Sequence, residues 1–265
     1  MTFTDVRGRR LTLETPPKRI VSLVPSTTET LFALGVGGRV VGRTRFCVHP
    51  KDQVVVVPIV GGPRDPRIER VRALAPDLVL ANAEENRAQD VAALDGVTWV
   101  FVTFPRTVAQ AIADLRTLGA ITGQMARGEE IATAIEEELS RLRALAARRE
   151  PFRFAYLVWR RPTITVNRDT YIHDLLAAGG GINVFADEPE RYPRISVREV
   201  FGREPDCIFL PSEPYPFDEE QRDDLLGQCG DPDRWRGRIL LVEGEMFSWH
   251  GARTREGLRY YGALL

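Results

Sequence analysis

Three cysteines in 265 residues, Cys47, Cys207 and Cys229, are odd in number and far apart, which argues against a disulfide framework. None forms a Cys-x-x-Cys pair, so zinc-ribbon and dithiol redox motifs are absent as well. There is no Gly-x-Ser-x-Gly elbow, no His-Glu-x-x-His helix and no phosphate loop, which removes the commoner enzyme routes. Gly179 to Gly181 lacks the following lysine and the strand-first order of such a loop, and reads as a helix stop. No apolar stretch is long enough to span a bilayer, and the opening residues MTFTDVRGRRLTLETPP hold no signal-peptide core. As written, the chain carries neither an export signal nor an anchor, which leaves a cytoplasmic location open. Net charge is only −1 with the basic residues dispersed, so there is no electrostatic footprint for nucleic acid or an anionic membrane. Small molecules or proteins are the expected partners.

What the sequence does contain is α/β patterning. With 43% hydrophobic and 28% charged residues it has the composition of a globular protein. From Glu129 to Glu150 there is neither proline nor glycine, and Ile131, Ile135, Leu139, Leu142 and Leu145 recur at spacings of four and three. That pattern predicts one amphipathic helix roughly 33 Å long. It lies near the middle of the chain, with two versions of one α/β plan on either side. The expectation is therefore two parallel-sheet lobes, 1–125 and 151–265, joined by a rigid backbone helix over 126–150, with a ligand cleft between them.

Before the helix, the spacing predicts an edge hairpin turning at Gly8 and strands over 19–24, 39–42, 54–60, 77–81 and 97–103. Helices are expected after a Ser26-Thr27-Thr28 cap, over 67–74 and 87–94, and beyond Thr107. After it, strands are expected over 153–159, 206–210 and 238–242, and helices over 171–178, 196–201, 218–226 and 254–265. Strands alternating with helices imply parallel sheets, whose ligands sit at the carboxyl ends of the strands. The segments Glu69 to Leu80 and Glu199 to Leu210 repeat one plan: a helical glutamate, then Pro-Asp, then an apolar strand.

At this point the chain resembles a known family, the two-lobed solute-binding proteins of ABC importers for cobalamin, haem and iron-siderophore complexes. The resemblance covers nearly the whole sequence. It is carried by Arg19 to Ser26 with Thr28 and Glu29, by Phe46 to Pro50, by the paired Glu69 and Glu199 segments, by Trp159 to Thr170, and by Met246 to Trp249. It implies a monomer that captures a metal chelate in the cleft, with no intrinsic cofactor, and passes it to an ABC permease outside the cytoplasm. Glu69 and Glu199 match the exposed carboxylates, one per lobe, that dock on permease arginines; their plainer reading is solvated helix surface. Cobalamin binders similar to this chain carry a tryptophan where Gly62, Pro63 and Arg64 stand.

If the strand ends face the cleft, Ser26, Phe46, His49, Pro63, Arg64, Asn82, Glu84, Glu85, Trp159, Tyr192, Tyr215, Phe247, Trp249 and His250 are the expected ligand-binding residues. They include an unusual share of the aromatic and histidine residues, which suits a large, flat, partly apolar ligand. Cys47 with His49 could ligate a metal, but two ligands do not close a site, and a buried thiol beside a half-exposed ring explains them equally. His250 is the better ligand contact, as cleft lining or as an axial donor. Glu84 and Glu85 suit a cation or a polar rim, or simply complement a helix dipole. His173, Trp99 and Trp235 are assigned to structure and packing. The alternative is a cytoplasmic metal-chelate carrier, or a chelatase-like enzyme of the same architecture using His49, His250, Glu84 and Glu85.

Overall fold

The first strands, β1 (Thr2–Thr4) and β2 (Arg10–Thr12), form the expected antiparallel hairpin in this computed structural model, which describes residues 1–265. Gly8 turns it at φ 78°, a region that glycine enters without steric cost. β3 (Ile20–Ser22), α1 (Pro25–Ala33), β4 (Val40–Arg43), α2 (Lys51–Val54), the two-residue strands β5 (Gly61–Gly62) and β6 (Asp65–Pro66), and α3 (Ile68–Ala73) follow. Next come β7 (Leu78–Asn82), α4 (Ala88–Asp95), β8 (Trp99–Thr103), α5 (Val108–Ile121) and α6 (Met125–Ala146). β3, β4, β7 and β8 pair in parallel in the order β4-β3-β7-β8. Val21, Leu23, Val79, Ala81, Val100 and Val102 on this sheet pack with Val71, Val91 and Leu94 of the covering helices. Each valine or leucine among them contributes roughly 1.5–3 kcal/mol when taken out of water.

Beyond α6 the plan repeats with β9 (Phe152–Trp159), β10 (Ile164–Thr165), α7 (Tyr171–Ala178), β11 (Gly181–Asn183), α8 (Val197–Gly202) and β12 (Cys207–Pro211). The chain ends with α9 (Glu219–Gln228), α10 (Pro232–Trp235), β13 (Ile239–Val242), α11 (Glu245–Ser248) and α12 (Thr254–Leu264). β9, β11, β12 and β13 run parallel, and the short β10 lies antiparallel beside β9. Ser196 and Asp218 cap α8 and α9 through complete capping boxes, which fixes where each helix begins.

Contacts divide the chain into two compact units. Unit 1 is Met1–Pro105, Ala109–Ile135 and His250–Arg253; unit 2 is Arg106–Val108, Glu136–Trp249 and Thr254–Leu265. Helix α6 runs from one unit into the other, so the expected plan of two parallel-sheet lobes joined by a long helix is the one observed. Two short crossings complete the exchange. In unit 2 Arg106 pairs with Asp169 at 2.9 Å, and the Asp174 carboxylate accepts from Val108 N at 2.8 Å. The segment 250–253 is the reverse crossing.

Several local expectations are corrected. The valines from 54 to 60 do not make a strand: α2 ends at Val54, whose carbonyl accepts from the buried Arg43 guanidinium at 2.9 Å. Val55 and Val56 are exposed, and only Ile59 bridges to Arg43. No hydroxyl caps α1. Val24 is its N-cap, Pro25 supplies the preset φ of the first turn, and Thr28 and Thr30 bond back to the carbonyls of Val24 and Ser26. Helix α6 runs over Met125–Ala146, starting one residue before the expected 126 and ending four short of 150, with Gly128 inside it. A Cβ on Gly119 of α5 would lie 3.1 Å from Gly128 Cα, so both glycines serve a close helix crossing. Trp99 is 50% exposed rather than packed, whereas Trp235 is buried as expected.

Burial on α5 pushes the Asp114 carboxyl up to about 7 from 3.8. The folded state therefore holds a proton that the unfolded chain releases between these pH values, and stability falls as pH rises through this window. Asp114→Asn should stabilise the protein by about 1–2 kcal/mol at pH 8, after discounting for partial exposure, and by almost nothing at pH 4. Urea unfolding at the two pH values measures the difference.

Candidate functional site

Because the strands of each sheet are parallel, their following loops leave from one edge, and most of the expected site residues sit on those loops. In unit 1 the organiser is Asn82, the last residue of β7. Its Oδ1 accepts from Glu84 N at 2.8 Å and Glu85 N at 3.3 Å, while its own N donates to Asn86 Oδ1 at 2.8 Å. Asn86 Nδ2 in turn donates to Pro63 O at 2.8 Å, and Arg64 donates to Glu84 O at 3.1 Å. Thus Pro63, Arg64, Asn82, Glu84 and Glu85 form one hydrogen-bonded platform. Asn86, which clusters with Glu84 and Glu85 in the sequence but is not among the expected ligand-binding residues, is its keystone.

His250 joins this platform. The backbone donors on Asn82 Oδ1 fix the orientation of the amide, so Nδ2 is the atom that faces His250 Nε2, at 3.5 Å. Burial holds the His250 pKa down to about 4, so the ring is neutral near pH 7. A neutral ring that meets an amide donor at Nε2 carries its proton on Nδ1. Direct metal ligation through Nε2 would exchange that contact.

On the loop after β4, Phe46 is 56% exposed, with the Arg45 guanidinium 5.5 Å from its ring centroid. Arg45 pairs with Asp65 at 2.6 Å and ties the loop to the β5–β6 hairpin. His49 is half-buried on the same loop. Cys47 is fully buried, where its sulfur meets the hydroxyls of Thr28 and Thr44 at 3.1 Å. Burial raises its pKa, so it is a protonated core thiol and no metal ligand. Ser26 is also buried, in the first turn of α1. No group of three or more His, Cys, Asp or Glu side chains is placed to hold a metal ion.

In unit 2, Trp159 ends β9 and is 40% exposed. It meets Tyr215 edge to face with centroids 5.3 Å apart, and Tyr215 meets Phe217 at 4.7 Å, giving an aromatic ridge on the strand ends. Behind it the buried Arg160 is ion-paired to Asp224 of α9. Tyr192 lies in the segment that runs beside β10, under the Arg191 guanidinium. Trp249 is buried and donates Nε1 to Glu213 at 2.6 Å. Phe247 departs from expectation: it is 0% exposed, ringed by Tyr156, Phe209 and Tyr261 at 5.8 Å and Tyr260 at 5.9 Å, and is core rather than lining. His173 is structural, with Asn183 at 3.4 Å.

Two surface cavities lie away from these loops. One of about 460 Å³ follows the outer edge of β13 with Arg222 and Trp235, and one of about 380 Å³ adjoins Arg9, Asp95 and Trp99. Neither is lined by any of the expected ligand-binding residues. Glu69 and Glu199 stand on α3 and α8, both exposed; Glu69 pairs with Arg72 at 2.9 Å, and Glu199 is held below the usual carboxylate range by the Ser196 backbone N–H.

Two parallel-sheet units joined by one helix, with aromatic and amide groups on the strand ends, are the architecture of a solute-binding class of protein. The sequence places it within that class: residues 20–227 match the family profile described as Periplasmic binding protein, and the chain belongs to that family. Among curated relatives, the vitamin B12-binding protein of Vibrio cholerae serotype O1 (strain M66-2) is 27% identical over 209 residues, 78% of this chain and 75% of that protein. The vitamin B12-binding protein of Vibrio parahaemolyticus is 29% identical over 196 residues, 73% of this chain and 70% of that one. Among solved structures, the periplasmic vitamin B12 binding protein BtuF of Vibrio cholerae superposes with TM-score 0.80 at 22% identity, covering 94% of this chain and 96% of that one. The periplasmic heme-binding protein RhuT from Roseiflexus sp. RS-1 superposes with TM-score 0.79 at 26% identity, covering 93% and 97%.

The sorting of aromatic residues into core and lining has a direct consequence. Phe247→Ala should cost about 3–5 kcal/mol of stability by leaving a cavity among four rings, whereas Trp159→Ala should cost under about 1 kcal/mol. Denaturant titration of the two variants checks the order, and equal losses would contradict it.

Proposed function

We propose that this chain is the solute-binding component of an ABC importer, that it captures a metal chelate (cobalamin-like, haem or ferric siderophore), and that it releases the chelate chemically unchanged. The similarity to vitamin B12-binding proteins over 73–78% of the chain carries the reading. The exposed Phe46 and the Trp159–Tyr215 ridge support it, because aromatic faces bury the flat area of a macrocycle while the Asn82 platform supplies a few oriented polar groups. The absence of tryptophan at Gly62, Pro63 and Arg64 favours haem or a ferric chelate over cobalamin itself. The chelate brings its own metal, so the protein needs no cofactor of its own. Glu69 and Glu199 are the docking carboxylates for the permease, and delivery takes place outside the cytoplasmic membrane, where proteins of this family work.

Equilibrium titration with cyanocobalamin, haemin and a ferric hydroxamate, followed by intrinsic tryptophan fluorescence and visible absorbance, tests the ligand. One of the three is expected to saturate at one equivalent. Loss of signal with all three would overturn the chelate reading. In transport assays, Glu69→Arg with Glu199→Arg should abolish delivery and spare binding; if binding disappears too, those carboxylates are not docking groups.

A further inference from the structure

The last segment of unit 1 is four residues long and comes from the far end of the chain. Trp249 before it is fixed in unit 2 through Glu213, and Thr254 after it starts α12, with its hydroxyl 3.0 Å from Tyr171 OH. Between these anchors, His250–Arg253 lies on helix α1 with no large apolar side chain to hold it there. The attachments are polar and specific. The Arg253 guanidinium makes a bidentate pair with Glu29, Nε to Oε2 at 2.7 Å and Nη2 to Oε1 at 2.6 Å, with the arginine side chain 7% and the carboxylate side chain 18% exposed. Ala252 N donates to Thr30 Oγ1 at 3.1 Å. Gly251 stands at φ 88°, and a Cβ there would run into the same hydroxyl. A buried ion pair is a poor source of net stability but enforces one geometry, because its fork fits in only one way.

We propose that Arg253, through Glu29, is a positioning residue for His250: the pair clamps the 250–253 turn onto α1 and so delivers the imidazole to Asn82 on the strand ends of unit 1. This rests on the reading of those strand ends as the solute site. The clamp and the ligand-facing group are three residues apart in one rigid turn, so movement of the guanidinium is passed to the ring through Gly251 and Ala252. Glu29, on α1, is thereby part of the site's support.

The chain has only three histidines, His49, His173 and His250, which makes imidazole NMR a direct reader of the clamp in the intact protein. In Arg253→Ala the His250 pKa should rise from about 4 toward its ordinary 6.5, while the imidazole signals of the other two histidines are unaffected by the substitution. Arg253→Lys keeps the charge but loses the fork, and should restore the wild-type value only in part. Binding of whichever probe the wild type takes, cyanocobalamin or haemin, should weaken roughly tenfold in Arg253→Ala. An unchanged His250 titration in a folded Arg253→Ala protein that has merely lost thermal stability would overturn the proposal. Should that variant fail to fold, Glu29→Gln, which keeps the shape and removes the charge, gives the same two outcomes. If the wild type binds neither probe, the proposed ligand class fails, and the imidazole titration still decides the positioning role.

Discussion

Parallel pairing is the constraint on which everything else here depends. A strand can return parallel to its neighbour only through a crossover, and every crossover in a sheet restarts from the same side, so all the loops that follow strands emerge at one edge. β3, β4, β7 and β8 thereby place Ser26, the Phe46–His49 loop and the Asn82–Asn86 loop on one edge of unit 1. β9, β12 and β13 do the same for Trp159, Tyr215 and Glu213 in unit 2. Within each unit, residues far apart in the sequence share one edge without any long-range signal, because strand direction alone sorts them.

On that edge, rigidity comes from amides and ion pairs rather than from apolar packing. Asn82 and Asn86 satisfy the backbone of the loop they carry, and Arg45 with Asp65 braces the next loop. Buried hydrogen bonds contribute only about 1 kcal/mol each to stability, yet each leaves a costly orphan if broken, so the platform is stiff for its energy. A partly polar seat with exposed aromatic faces is what the proposed macrocyclic chelate would need, with area from the rings and orientation from a few polar contacts.

The strands, the capped helices and the duplication were legible because their signals are local: apolar runs bounded by Pro-Asp, Ser196 and Asp218 as caps, and the proline- and glycine-free run from Glu129 onward. Errors fell where a long-range contact overrode a local preference. Val54 to Val60 has the β-branched composition of a strand, but the Arg43 guanidinium claims the Val54 carbonyl and ends a helical turn there. Helix α6 runs through Gly128 because Gly119 of α5 needs the room. Phe247 and Trp249 read alike as lining, and both are buried, Phe247 because four rings close over it. The Glu29–Arg253 pair joins residues more than two hundred positions apart, and no spacing rule connects them.

The central claim is that a chelate is held by the loops at the carboxyl ends of the strands. Hydrogen exchange of the intact protein, with and without saturating haemin or cyanocobalamin, tests it most directly. Protection is expected in residues 44–50, 82–86, 159–161 and 212–217, with the opposite edges of both sheets unchanged. Protection confined to the β13 edge or to the surface around Trp99, with the strand-end loops unaffected, would contradict the account.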